Sequence, residues 1–457
     1  MRRFLFIPLF FPRGKTDLAG DTSSDSAYRS ALEFLYSFVD YEHTSQWRYD
    51  SGHFSLGRVR SLLAAIGNPH KHGWYVHVAG TNGKGSVCAM IASALREAGL
   101  TVGLYTSPHL VTFRERIRVN GQIMTRDEVV SSVRRIRAAA GSVHGLTFFD
   151  VWTALAFDHF AHRGTDAAVI EVGMGGRLDS TNVVTPAVSV ITAVSMDHRG
   201  RLGETPAEIA AEKAGIIKPG IPAVSAPQTP DVEAVLAARV AETGSDLVVA
   251  GRDAGWDQAD GLLSFRGRRW TLDRVRVALP GKFQFENAAT AIAALETLAA
   301  GGYPIGPEDA KRGIELTHWP GRLETISLRP EIIVDGACNT GAMTVAAEHI
   351  ASRSPRGSAV AVVAMCRDKE VGEVLAILGG PVSRIVFTQV RNPRAMDAAE
   401  LAAKAPAGAE AFIEPNPADA LKRAAALAGE DGMVLVTGSL YLVGEVFRLF
   451  GVGEGEE

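Results

Sequence analysis

His77-Val78-Ala79-Gly80-Thr81-Asn82-Gly83-Lys84-Gly85-Ser86-Val87 joins an apolar strand, Trp74 to Ala79, to an amphipathic helix, Val87 to Ala98. The turn between them is rich in glycine and holds one lysine. Backbone N–H groups at a helix start attract anionic oxygens, glycine permits close approach and positive φ, and Lys84 adds a point charge for outer phosphates. The spacing departs from the common Walker pattern, because only two residues separate Gly80 from Gly83 and Gly85 stands between Lys84 and Ser86. A strand before, a helix after and a lysine within predict a nucleotide-phosphate cradle.

Working outward, Ala167-Ala168-Val169-Ile170-Glu171-Val172-Gly173 reads as a buried parallel strand that delivers one carboxylate at its C-terminal end. That edge is where open α/β sheets bind ligands, which makes Glu171 a candidate magnesium ligand. The next strand, Ala187 to Val194, ends in Ser195-Met196-Asp197-His198, and Ser107 follows the strand Val102 to Tyr105. A strand-end acid or serine alone is often a helix cap, and a single histidine is more often packed than metal-bound. Three such strand ends beside one phosphate loop favour a metal on the shared rim.

A chain of 457 residues with 46% hydrophobic content can build two to three domains with a full core. Its net charge of −4 argues against a general nucleic-acid binder. The short basic run Arg266-Gly267-Arg268-Arg269 reads as a solvated hairpin. Three cysteines, Cys88, Cys338 and Cys366, form neither a disulfide framework nor a CxxC pair, so a reducing, cytoplasmic setting fits. Met1-Arg2-Arg3 followed by Phe4 to Phe11 mimics a short leader, but Pro8 and Pro12 interrupt it and it is too short to span a bilayer. Residues 1 to 25 are read as a flexible extension. No membrane-spanning stretch is expected.

Helical spacing marks Tyr28 to Tyr41 and Gly57 to Ile66, after which strands and helices alternate to about Pro219. Such alternation predicts an α/β fold with a mostly parallel sheet covered on both faces. Between Asp246 and Leu279, short segments such as Leu262 to Arg266 and Arg269 to Leu272 suggest a small antiparallel sheet, and a helix follows over Asn287 to Ala299. His318-Trp319-Pro320-Gly321-Arg322 breaks the pattern. A second, smaller doubly wound series then begins, with strands at Ile332 to Val334, Ala359 to Ala364, Arg384 to Thr388, Glu410 to Ile413 and Met433 to Val436. The expected division is an extension over 1–25, an ATP-binding P-loop domain over 26–324 and a Rossmann-like domain over 325–457.

The ordered set of motifs resembles the folylpolyglutamate synthase/dihydrofolate synthase family of the Mur ligase superfamily. It comprises Gly80-Thr81-Asn82-Gly83-Lys84-Gly85-Ser86, Thr106-Ser107-Pro108-His109-Leu110, Glu171 to Asn182, and Glu212-Lys213-Ala214-Gly215-Ile216-Ile217. It continues through Leu279 to Ala288, Trp319-Pro320-Gly321-Arg322, Asp335-Gly336-Ala337 and Thr437-Gly438-Ser439-Leu440. The resemblance implies an ATP-dependent amide ligase that adds L-glutamate to a pterin carboxylate, of dihydropteroate or a reduced folate, through an acyl phosphate. By that resemblance, Thr81, Asn82, Gly83, Lys84, Gly85 and Ser86 hold the phosphates, Asn287 contacts the nucleotide, and Arg322 and Asp335 reach ATP from the linker and second domain. Ser107, Glu171 and His198 take Mg2+. Lys213, which sequence alone places on a helix surface, matches a lysine that the family carbamylates as an extra ligand. Lys84, Lys213, His198 and Arg322 are thus the expected catalytic groups.

Thr147, Phe148, Phe149 and Asp179 correspond to the pterin-contacting positions, although a phenylalanine pair is also a common core feature. The chain departs from the family after Asp335-Gly336-Ala337, where Cys338 stands in place of the usual histidine. A thiol cannot reproduce an imidazole's paired donor and acceptor. A muramyl peptide ligase is the alternative within the superfamily, but 79 residues before Gly80 are too few for its nucleotide-sugar domain. A regulatory P-loop switch would need a guanine-reading Asn-Lys-x-Asp segment, and the sequence has none. The expected partners are small molecules acting on a monomer, with neither nucleic acid nor membrane.

Overall fold

A computed structural model describes residues 22–40, 54–196, 201–354 and 357–452. Most of the expected extension, and His198 with it, lies outside the described residues. The first sheet has eight strands: β1 (Trp74–Ala79), β2 (Val102–Tyr105), β3 (Ile117–Val119), β4 (Gln122–Ile123), β5 (Ala167–Glu171), β6 (Val188–Ile191), β7 (Ala223–Ser225) and β8 (Leu247–Val249). Their order is β4-β3-β2-β5-β1-β6-β7-β8, parallel except where β3 pairs with β2 and β4. The central strand β1 is buried along nearly its whole length, which is why it reads as a continuous apolar run.

Period-two alternation splits these strands between two cores. Val76, Val78 and Val169 face the helices Lys84–Glu97, Phe283–Ala300 and Pro307–Leu316, whereas Tyr75, Ala168 and Ile170 face Leu56–Ala65, Arg126–Ala140 and Phe148–His162. Because β5, β1 and β6 are neighbours, Glu171, the Gly80 loop and Thr192 to Ser195 all emerge on one edge. The rim inferred from three strand ends is therefore physically one rim.

A second sheet, β9 (Gly255–Ala259), β10 (Leu262–Arg266) and β11 (Thr271–Val275), is antiparallel, and sends Leu263, Phe265 and Leu272 into the core under Lys84–Glu97. The basic run lies in its β10–β11 turn. Glu296 accepts from the backbone N–H of Arg268, Arg269 and Trp270 at 3.1, 2.6 and 2.7 Å, so one carboxylate fastens this hairpin to the helix Phe283–Ala300.

The third sheet comprises β12 (Glu324–Leu328), β13 (Glu331–Val334), β14 (Gly357–Val363), β15 (Val382–Phe387), β16 (Glu410–Ile413) and β17 (Met433–Thr437), in the order β12-β13-β17-β14-β15-β16. Only β12 runs antiparallel to its neighbour. This edge strand was not anticipated from the sequence; half-exposed on both faces, it carries no clear apolar alternation. Two helices begin earlier than their apolar pattern predicts, at Lys84 and Phe283, because the turns preceding them supply helix-start backbone before the apolar stripe begins. The first described helix ends at Tyr36 rather than Tyr41, and Val39 then bridges to Thr147. No helix among the described residues is long and apolar enough to cross a membrane.

Candidate active site

The phosphate loop is shaped by two glycines that no other residue could replace. Gly80 has φ 151° and Gly83 has φ 86°; a Cβ at the first would collide with the Thr192 hydroxyl, and at the second with the Asn287 side chain. Thr81 and Asn82 donate their N–H groups to Ala193 O at 2.9 and 3.2 Å, and Thr81 Oγ1 donates to Ser195 O at 3.0 Å. The loop is thus fastened to the end of β6. The first-turn amides of Lys84, Gly85 and Ser86 remain at the cleft, since a helix start offers them no carbonyl partner. Lys84 Nζ lies 3.2 Å from both Gly80 O and Thr81 O, curled beneath the space it would charge. Asn287 lines the same space, its Nδ2 donating to Gln284 Oε1 at 2.9 Å, and Gln284 in turn lies 3.3 Å from Ser86 Oγ.

Glu171, 5% exposed, ends β5 and accepts from Ser107 N–H at 3.2 Å. Burial pushes its carboxyl above the usual range, while Lys84, the Ser107 amide, Arg322 and Arg116 pull the other way. Lys213 is buried, not a surface residue: the last turn of Pro206–Ala214 turns it inward, and Nζ donates to Gly80 O at 2.7 Å. Sequence alone missed this, because Lys213 sits on the same helical face as Ile209 and Ala210 and only tertiary packing reveals that this face is covered. Among the described residues no group of three or more His, Cys, Asp or Glu side chains is arranged to hold a metal ion.

A cleft of about 600 Å³ runs from this loop to the third sheet. Arg322 and Asp335 line it. Asp335 accepts from Leu323 N–H at 2.9 Å and Ala337 N–H at 2.8 Å, so its visible role is to pin two backbone bends, one of them at Leu323 with φ 46°. Asn82 and Asn339 exchange amide hydrogen bonds at 3.3 and 3.1 Å across the cleft, and Asn339 Oδ1 also caps the helix Thr340–Arg353 through Ala342 N–H at 2.9 Å. Replacing Asn339 with alanine removes both the cap and the bridge. It is expected to cost about 1 kcal/mol of stability and to speed hydrogen exchange in 340–353 and 80–84 together; exchange confined to the first segment would show that the bridge is idle.

At the far end, Thr147 caps the helix Phe148–His162 by accepting from Asp150 N–H at 3.1 Å. Phe149 lines the cleft, its ring lying so close over Gly173 that a Cβ there would collide with it. Phe148, expected beside it at the pterin, is instead in the core, stacked on Tyr36 with ring centroids 5.9 Å apart and near Trp152 at 5.6 Å. Successive helical residues point about 100° apart, so only one of the pair can face the cleft. Asp179 accepts from Met174 N–H at 2.9 Å, from Thr181 N–H at 3.0 Å and from the Thr181 hydroxyl. Burial lifts its carboxyl to about 6 against those hydrogen bonds.

Sequence reasoning missed a basic end of the cleft. Arg201, Lys369 and Arg394 line it, and Asp368 pairs with Arg394 at 2.9 Å and with Arg201 at 4.0 Å. These residues come from three separate loops with no shared spacing. Val39, Asp40 and Phe54 also join the cleft, at the end that holds Phe149.

Residues 78–295 match the Mur ligase middle domain, and 321–440 match the Mur ligase glutamate ligase domain. The chain is 36% identical over 442 residues to the folylpolyglutamate synthase of Lacticaseibacillus casei, covering 92% of this chain and 97% of that protein. It is 35% identical to the dihydrofolate synthase/folylpolyglutamate synthase of Bacillus subtilis, covering 90% and 99%. Among solved structures, E. coli FolC in complex with DHPP and ADP matches with a TM-score of 0.85 at 30% identity, over 94% of this chain and 99% of that one. Mycobacterium tuberculosis folylpolyglutamate synthase complexed with ADP matches at 0.84, also with 30% identity and the same coverage.

Proposed function

Because this chain belongs to the folylpolyglutamate synthase/dihydrofolate synthase family of Mur ligases, we infer that it is an ATP-dependent ligase joining L-glutamate to the carboxylate of a pterin-bearing acid. The carrying observation is one cleft with three chemically distinct ends: a phosphate cradle at Gly80 to Ser86, an aromatic and acidic end at Phe149 and Asp179, and a basic end at Arg201, Lys369 and Arg394.

A carboxylate is a poor acyl donor. Transfer of the γ-phosphoryl group of ATP to the pterin carboxylate releases ADP and gives an acyl phosphate; the glutamate amine then attacks the acyl carbon, expels inorganic phosphate and loses a proton. The chain's part is placement and charge. Lys84 and the amides at the helix start hold the phosphates, and Arg322 approaches from the linker to offset charge on the transferring group. Phe149 offers a flat face to the heterocycle while Asp179, when ionised, accepts from its N–H groups. Glutamate brings two carboxylates, which suits the cations Arg201, Lys369 and Arg394, two of which already pair with Asp368.

The site fits a hard divalent cation. Glu171 is a buried carboxylate whose charge burial disfavours, and a cation would relieve that cost. Ser107, Glu171, His198 and a carbamate on Lys213 would hold Mg2+, which when bound neutralises phosphate charge. The carbamate forms when neutral Nζ adds to carbon dioxide and loses a proton, turning a cation into an oxygen ligand. The working unit is taken to be a monomer, and its need for ATP fits a cytoplasmic setting.

Phosphate release should require ATP, glutamate and a pterin acid together, measured separately with dihydropteroate and with tetrahydrofolate. Sizing the products then gives the acceptor and any polyglutamate length. ATP hydrolysis that proceeds equally without acceptor and glutamate would overturn the reading.

A further inference from the structure

His77 opens the stretch that decides the fold, yet no step above uses it. It is fully buried in β1, below the phosphate loop. Its Nε2 lies 2.8 Å from Thr181 Oγ1, and Thr181 Oγ1 is in turn in close contact with Asp179 Oδ1. A threonine hydroxyl has one proton, and an ionised carboxylate can only accept. Thr181 therefore donates to Asp179, and His77 donates to Thr181 from Nε2–H. His77 Nδ1 is then an unprotonated atom, and it has no hydrogen-bond partner.

The direction of this chain matters. Were Asp179 protonated and donating to Thr181, the hydroxyl would turn to His77 Nε2 and the imidazole proton would move to Nδ1. That would bury an N–H without an acceptor, which is rarer and costlier than an idle lone pair. A second proton on the ring is no escape, since burial and Lys218 push the imidazole down to about 3. The arrangement thus biases the carboxylate toward its ionised form, in the direction opposite to its burial.

We propose that His77 is a positioning residue for substrate binding: through Thr181, it holds Asp179 in the orientation and ionised form that accept hydrogen bonds from the pterin. This rests on the assignment of Asp179 to the pterin. The charged and titratable neighbours are few. Lys218 faces His77 and donates to Asn182 O at 3.0 Å, with Arg60 and Arg239 acting on Lys218 in turn. On the other side Asp150, paired with Arg58 at 3.5 Å, accepts from Ser180 Oγ at 2.6 Å. None of these breaks the His77–Thr181–Asp179 chain, whose remaining donors to Asp179 are the backbone amides of Gly173, Met174 and Thr181.

The test follows kcat and KM for the pterin acid and for ATP across weakly acidic to weakly alkaline pH. In His77→Leu, the acid limb of kcat/KM for the pterin acid should move up by about half to one pH unit, so that kcat/KM falls about three- to tenfold on the acid side of the limb and about twofold or less at neutral pH. The KM for ATP should stay within about twofold. His77→Gln, which keeps an amide N–H near the place of Nε2, should restore the wild-type limb. If His77→Leu does not fold, Thr181→Val cuts the same chain at its other link and should move the limb the same way. An unmoved limb, or a glutamine variant no better than leucine, overturns the proposal. Asp179→Asn separates the two levels: if it leaves the pterin KM unchanged, the assignment of Asp179 fails; if it raises that KM while both relay variants behave as wild type, only the relay fails.

Discussion

Lys84→Ala should lower turnover by about two to three orders of magnitude, the usual cost of removing one preorganised charge contact. Stability should hardly change. The ammonium of Lys84 bonds only two carbonyls of its own loop, Gly80 O and Thr81 O, and Gly80 O keeps a second donor in Lys213 Nζ. Steady-state phosphate release and thermal unfolding on the same samples check this. A variant keeping more than about a tenth of wild-type turnover would remove Lys84 from the phosphate-binding role.

Lys213→Ala should be comparably inactive, for a different reason and with a different cure. Truncation removes the nitrogen that carries the proposed carbamate, so short carboxylates such as formate or acetate should restore part of the activity by supplying the missing oxygen ligand. They should do nothing for Lys84→Ala. Some destabilisation, about 1–3 kcal/mol, is expected as well, because Gly80 O loses its 2.7 Å donor in a buried place. Lys213→Met fills the volume but gives Gly80 O no donor, so the destabilisation from the lost hydrogen bond should persist and turnover should not recover. Wild-type protein stripped of bicarbonate should slow reversibly. Full activity of Lys213→Met without additive would overturn the carbamate.

How much of this was legible beforehand differs by element. The buried parallel strands announced themselves as apolar runs ending in polar residues, and since ligands gather at such ends, Gly80, Ser107, Glu171 and Ser195 could be placed on one rim before any coordinates. The separate third sheet was foreseen from the interruption at His318 to Arg322. Side-chain direction was harder. Phe148 and Phe149 are equivalent as sequence, and only packing against Tyr36 and Trp152 decides which one is core. Lys213 looked like surface because charge is a poor guide once a helix is covered on its charged side. The basic end of the cleft was invisible, since Arg201, Lys369 and Arg394 meet through loops whose approach no local periodicity encodes. Asp335, expected at ATP, lines the cleft, and its oxygens also accept from Leu323 and Ala337, a backbone role that no sequence pattern marks.

The amide exchange between Asn82 and Asn339 is a clasp made of two identical, uncharged halves. Each half offers one donor and one acceptor, so water can replace either at little net cost. Such a clasp is indifferent to salt and acidity, unlike a salt bridge, whose grip changes with both. Opening it therefore needs none of the energy of ATP, and occupancy of the nucleotide is expected to set how long the two sides of the cleft stay together.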